Sequence, residues 1–219
     1  MDIYLKLRIG LNVFEALACL AGFIYWAKIR NTYWKWFPVY LAIILITEVA
    51  GEFTGYRLGW VQFNRNLYTF FCIPFQFLFF FWLFWKYFEK PIYKNWAFTG
   101  AIIYLLSFVI NISFLFNIRF AFFSFSYMMG NIILLILTIL FFRIFIKGNE
   151  ILEYRSSSMF WICVGLLLFY LLSLPLYGLW NTLAVKYPVL FNRYWIITTI
   201  LNYLMYLLFT LSFIWGKPK

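Results

Sequence analysis

Seven runs of about twenty apolar residues, separated by short breaks, decide what this chain can fold into. Each run is long enough to cross about 30 Å of hydrocarbon as an α-helix. A soluble domain of 219 residues could not hide a composition that is 66% hydrophobic and 26% aromatic, with only 11% charged residues. The sequence therefore reads as an all-α polytopic membrane protein, one domain covering residues 1–219. The spans are expected near 9–27, 37–58, 66–85, 96–116, 120–142, 159–180 and 194–215. Breaks fall at Lys28-Ile29-Arg30 with Lys35 and Pro38, Arg57–Asn66, Glu89-Lys90-Pro91, Asn117–Arg119, Lys147–Ser158 and Lys186–Arg193. The fourth and fifth helices are expected to form a tight hairpin. About a third of the chain is left for tails and loops, too little for a soluble catalytic or nucleic-acid-binding domain.

The 18 basic and 7 acidic residues give a formal charge of +11, which in such a chain points to anionic headgroups. Counted on alternate sides of the spans, 11 Lys and Arg fall with the C-terminus and 7 with the N-terminus. Basic residues near span ends are held in the cytoplasm, so the N-terminus is expected outside and the C-terminus inside. Lys6 and Arg8 before an apolar stretch imitate a secretory leader, but Glu15 argues against cleavage. Trp34, Trp36, Trp60, Trp85, Trp96, Trp180, Trp195 and Trp215 stand at span ends as expected interfacial anchors. Cys19, Cys72 and Cys163 lie in three different spans and read as buried small residues.

The informative residues are the intramembrane carboxylates, because an ionised acid at the bilayer centre costs about 2.5–3.5 kcal/mol even on the lenient insertion scale. Glu48 lies near the middle of the second span, Glu52 one turn further on, and Glu15 at similar depth in the first. Glu48 and Glu52 are separated by about 6 Å along a helix axis. Both ionised would repel, so one is protonated or a cation is shared. Gly51, Gly55 and Gly59 form a ladder on the same helix that admits close approach of a neighbour. A packing seam and a polar pocket are equally compatible with that ladder.

The residues put forward as a ligand or ion site are Glu48, Glu52, Glu15, Arg57, Arg65, Gln76, Asn131, Tyr170 and Asn202. Arg119 and Arg193 read instead as partners of headgroup phosphates. Pro74 and Pro175 mark spans that can kink. Phe63-Asn64-Arg65 and Phe191-Asn192-Arg193 open two spans alike, which allows a weak three-plus-one-plus-three repeat.

With no histidine in the chain, Ser-His and Cys-His catalytic pairs, histidine-ligated haem and histidine-bound zinc are excluded. The single aspartate is Asp2, which excludes an intramembrane aspartyl protease, and the seventh span has no lysine for a retinal Schiff base. The expectation is a non-enzymatic protein with no cofactor and no metal.

Glu48 with Gly51, Asn66-Leu67-Tyr68, Phe160-Trp161-Ile162 with the run Gly165–Tyr170, and Leu201-Asn202-Tyr203-Leu204 together resemble a family of small seven-helix membrane proteins of Bacteroidota. The resemblance spans most of the chain. It implies the architecture and a bacterial inner (cytoplasmic) membrane, and transfers no activity. The leading expectation is a sensor or receptor-like protein that binds a small ligand or cation at a polar midplane. It would lie in a lipid bilayer with a signalling partner protein or as a homo-oligomer, and without nucleic acid. A proton- or cation-coupled transporter or channel is the alternative, and an oligomeric membrane effector of a defence system a further one.

Overall fold

The structure is a computed structural model that describes residues 3–114 and 124–217. Among them every long element is a helix: α1 (Ile3–Ile24), α2 (Trp36–Glu52), α3 (Val61–Tyr87), α4 (Pro91–Phe114), α5 (Ser124–Lys147), α6 (Ser158–Gly178) and α7 (Pro188–Ile214). Seven helices are long and apolar enough to cross a membrane. The chain is a multi-pass helical membrane protein. Asn117–Arg119, with the turn of the expected α4–α5 hairpin, lies outside the described residues.

Several boundaries differ from the sequence expectation by about five residues, among them the starts of α1 at Ile3 and α4 at Pro91 and the end of α5 at Lys147, and two of the differences, at α3 and α7, move an arginine of an expected break into a helix. α3 begins at Val61 and α7 at Pro188, so Arg65 and Arg193 are helical where loops were expected. Pro188 fits a first helical position because its ring pre-sets φ and it has no N–H to leave unpaired. Before α3 the turn is tight: Gly59 has φ +69°, a left-handed conformation that suits glycine, and Trp60 N donates to the Thr54 carbonyl at 2.9 Å.

The apolar pattern gave no sign of two π turns. One, Phe53–Arg57, extends α2, and the other, Tyr68–Cys72, lies within α3. The second immediately precedes Pro74, whose missing N–H breaks the α-helical ladder at that point. Among the expected anchors, Trp34 is a correction: it is 2% exposed, edge-on to Phe37 at 6.4 Å, and its Nε1 is buried without a hydrogen-bond partner among the described residues. Helix α2 starts two residues later, and the 3-10 turn Tyr33–Lys35 carries the indole inward.

The described chain forms two compact units. The first comprises Met1–Val49, Thr138–Leu172 and Ile196–Lys219, the second Ala50–Leu137 and Ser173–Trp195. Helices α2, α5, α6 and α7 each contribute a segment to both.

In the first unit, α1 meets α7 at Gly10, where a Cβ would lie 2.7 Å from the Tyr203 hydroxyl. It meets α2 at Gly22, where a Cβ would lie 2.6 Å from Pro38 Cγ. The core of the second unit is aromatic. Phe77 lies 5.2 Å from Tyr104 and 5.3 Å from Tyr127, with Gly130 so close that a Cβ there would be 2.9 Å from both the Phe77 and Tyr104 rings.

Candidate functional site

In the first unit, α1 is fastened to α7 on either side of Glu15. Toward its N-terminus, Gly10 leaves space for Tyr203, whose hydroxyl donates to the Leu7 carbonyl while its ring stacks on Phe14 at 4.9 Å. Just past its C-terminus, Lys28 Nζ donates to the Phe213 and Ile214 carbonyls at 3.2 and 3.4 Å, capping the end of α7. Burial and the nearby Lys217 hold that ammonium below its usual pKa. The two helices run parallel, because contacts advance together from Leu7 with Tyr203 to Lys28 with Phe213.

Between these fastenings sits a carboxylate–phenol cluster. Glu15 is 2% exposed, and the Tyr206 hydroxyl donates to its carboxylate. Tyr40 and Glu48 lie within electrostatic reach of the same hydroxyl. Helices α1, α2 and α7 each supply part of it, and Tyr206 is edge-on to Phe209 at 5.6 Å, which fixes its ring. Two carboxylates around one buried phenol repel when both are ionised, and a proton or small cation between them removes the repulsion. Tyr170 and Asn202 also belong to this unit. Tyr170 is buried edge-on to Phe169 at 5.0 Å. Asn202 is half-buried, and its Oδ1 is enclosed without a hydrogen-bond partner among the described residues.

Glu52, Arg65, Gln76 and Asn131 belong to the second unit. Glu52, Arg65 and Gln76 are half-buried and Asn131 is fully buried. The side chain of Arg57 lies outside the described residues, as does Arg119. The glycine ladder admits a side chain rather than a helix backbone. A Cβ on Gly51 would lie 2.7 Å from Asn64 Oδ1, and one on Gly55 would lie 2.6 Å from Asn64 Nδ2. The amide of Asn64 thus lies across both glycines, with Tyr68 beside it. A groove of about 330 Å³ in the same unit is lined mainly by Ile92, Trp96, Gly100, Ile103, Ile133 and Ile136. Its walls are nearly all apolar and offer a cation little.

The sequence reading centred the site on Glu48 and Glu52. Glu15 and Glu48 both lie within electrostatic reach of Tyr206, and Glu52 stands one turn beyond Glu48 on α2. Tyr40, Asn64 and Tyr206 are not among the site residues put forward from the sequence. A usable signal existed, because Asn12 and Glu15 share a face of α1, and Asn202 and Tyr206 share a face of α7 at helical spacing. Among the described residues no three His, Cys, Asp or Glu side chains gather as a metal-binding set, and all three cysteines are buried. The chain matches no protein-family model, no curated protein and no solved structure.

Proposed function

We propose that this chain is a non-enzymatic multi-pass membrane protein of the sensor type, in which Glu15, Tyr206 and Glu48 bind a proton or small cation. The observation that carries the reading is a buried carboxylate, Glu15, hydrogen-bonded to the buried Tyr206 hydroxyl, with Glu48 of another helix within electrostatic reach. Ionisable groups at such depth are costly and are retained where a pathway or ligand needs them. Occupancy removes charge repulsion between α1 and α2 beside α7, which biases how these helices pack. On this reading the C-terminal end, where the basic excess lies, faces the cytoplasm of a bacterial inner membrane. With loops this short, the signal passes to a partner protein or a second copy.

The test is thermal unfolding of the purified protein in lipid nanodiscs across pH and with alkali cations or amines. The reading expects stability to depend on the proton or on one cation, and Glu15→Gln or Glu48→Gln to remove that dependence. Identical responses in parent and variants would overturn it. A coupled carrier is the second reading, favoured by the π turns at the end of α2 and within α3, since such turns are frequent at functional sites. Glutamate-dependent flux into liposomes would select it over the sensor.

A further inference from the structure

We propose that the Glu15 cluster is reached from one side only, along a polar file between α1 and α7 that opens toward the N-terminal end of α1, and is sealed on the other side by aromatic rings. The proposal rests on reading the cluster as a cation site and adds the route by which that site fills.

The file follows from helical spacing. On α1, Arg8, Asn12 and Glu15 share one face; on α7, Thr199, Asn202 and Tyr206 do the same. Tyr206 joins the two faces at Glu15, and Tyr203, bonded to the Leu7 carbonyl and packed on Gly10 and Phe14, closes α7 onto α1 along the neighbouring face. Thr198 and Thr199 are buried at 3% and 7% exposure, so their side chains do not face lipid. Asn202 Oδ1 stands one turn before Tyr206, buried without a hydrogen-bond partner among the described residues. A buried acceptor of that kind is a position for a water molecule or a passing cation.

Past Glu15 the chemistry changes. Helix α1 presents Ala18, Cys19, Ala21 and Gly22, all buried, with Gly22 held against Pro38 and Phe213. Phe37 packs on Phe209 at 5.2 Å, on Phe213 at 5.3 Å and on Tyr40 at 6.0 Å, and these rings are almost wholly buried. Two α7 hydroxyls at this level are tied to their own helix: Thr210 donates to the Tyr206 carbonyl at 2.9 Å and Ser212 to the Phe209 carbonyl at 2.6 Å. A hydroxyl bonded to its own helix in this way is poorly placed to relay a proton. The site therefore fills and empties through the N-terminal side while the seal stands.

The native Cys19, one turn beyond Glu15, serves as a reporter. In a Cys72→Ser, Cys163→Ser background, membrane-impermeant methanethiosulfonate is applied from either side of vesicles whose N-terminus carries an accessible tag. Cysteine at Asn12 or Asn202 should react from the N-terminal side alone, Cys19 from neither side, and Phe37→Ala should expose Cys19 from the C-terminal side. Absence of labelling at positions 12 and 202, or labelling of Cys19 from the C-terminal side with Phe37 intact, would overturn the proposal. Unfolding curves for each variant check that it is folded. Glu15→Gln is run in parallel. If it abolishes the pH or cation dependence while positions 12 and 202 stay silent, the site stands and the route fails; if it changes nothing, the site reading itself has failed.

Discussion

The two compact units differ in the kind of polar group they bury: among the described residues the first buries a carboxylate, Glu15, the second only amides and hydroxyls such as Asn131 and Ser126. The first holds a buried glutamate hydrogen-bonded to a buried tyrosine, with a second glutamate in range, between small-residue contacts at Gly10 and Gly22. The second is built from rings and glycines: Phe77 against Tyr104 and Tyr127, Gly130 beneath them, and the Asn64 amide across Gly51 and Gly55. In lipid the helices have no hydrophobic drive toward one another, so close packing of the second kind supplies the stability. Buried carboxylates of the first kind oppose it, because desolvation is repaid only when a partner is bound. The difference teaches where to look for function: in the unit that carries the cost.

That contrast can be broken by mutation. The largest effect is expected for Gly130→Leu, since even a Cβ meets the Phe77 and Tyr104 rings at 2.9 Å. Overpacking of this kind costs about 3 kcal/mol or more, and unfolding in mixed detergent should show a large loss of stability or no folded protein. Phe77→Ala should follow at about 2–3 kcal/mol, chiefly from the cavity, because the unfolded helices already sit in lipid.

Glu15→Gln is expected to leave stability within about 1 kcal/mol of the parent, or to raise it, while removing the response to proton or cation. If it costs as much as Gly130→Leu, the carboxylate is structural and the contrast collapses. Tyr206→Phe keeps the ring against Phe209 and loses one interhelical hydrogen bond, for which about 0.6 kcal/mol is the expected loss in the same unfolding assay.

The smallest effect lies outside the spans, at Lys28. Its folded pKa is lowered by burial and by Lys217, whereas the unfolded value is near 10.5. Between the two values the unfolded chain binds more protons, so stability should rise with pH across that window. Lys28→Met should flatten that rise and remove the cap on α7.

Much of the architecture was legible in the sequence. A hydrocarbon-length apolar run leaves a helix as the one way to satisfy its backbone, which is why all seven spans were found. The π turns were not legible, because one extra residue per turn leaves hydropathy unchanged. Trp34 was misread because an indole at a span end looks alike whether it faces headgroups or Phe37. For the site, depth alone identified Glu15 and Glu48 as informative. The Glu15–Tyr206 hydrogen bond joins α1 to α7, a pairing that spacing along one helix does not show. The glycine ladder was visible and its occupant, Asn64, was not, since spacing says that something approaches and not what.

The most direct test of the central claim is the carboxyl C=O stretch in pH- or cation-difference infrared spectra of the protein in nanodiscs, with Gln placed singly at 15, 48 and 52. A band that disappears in Glu15→Gln and changes in Glu48→Gln, but persists in Glu52→Gln, is the expected result. A band that survives both Glu15→Gln and Glu48→Gln, or that is lost only in Glu52→Gln, would contradict it.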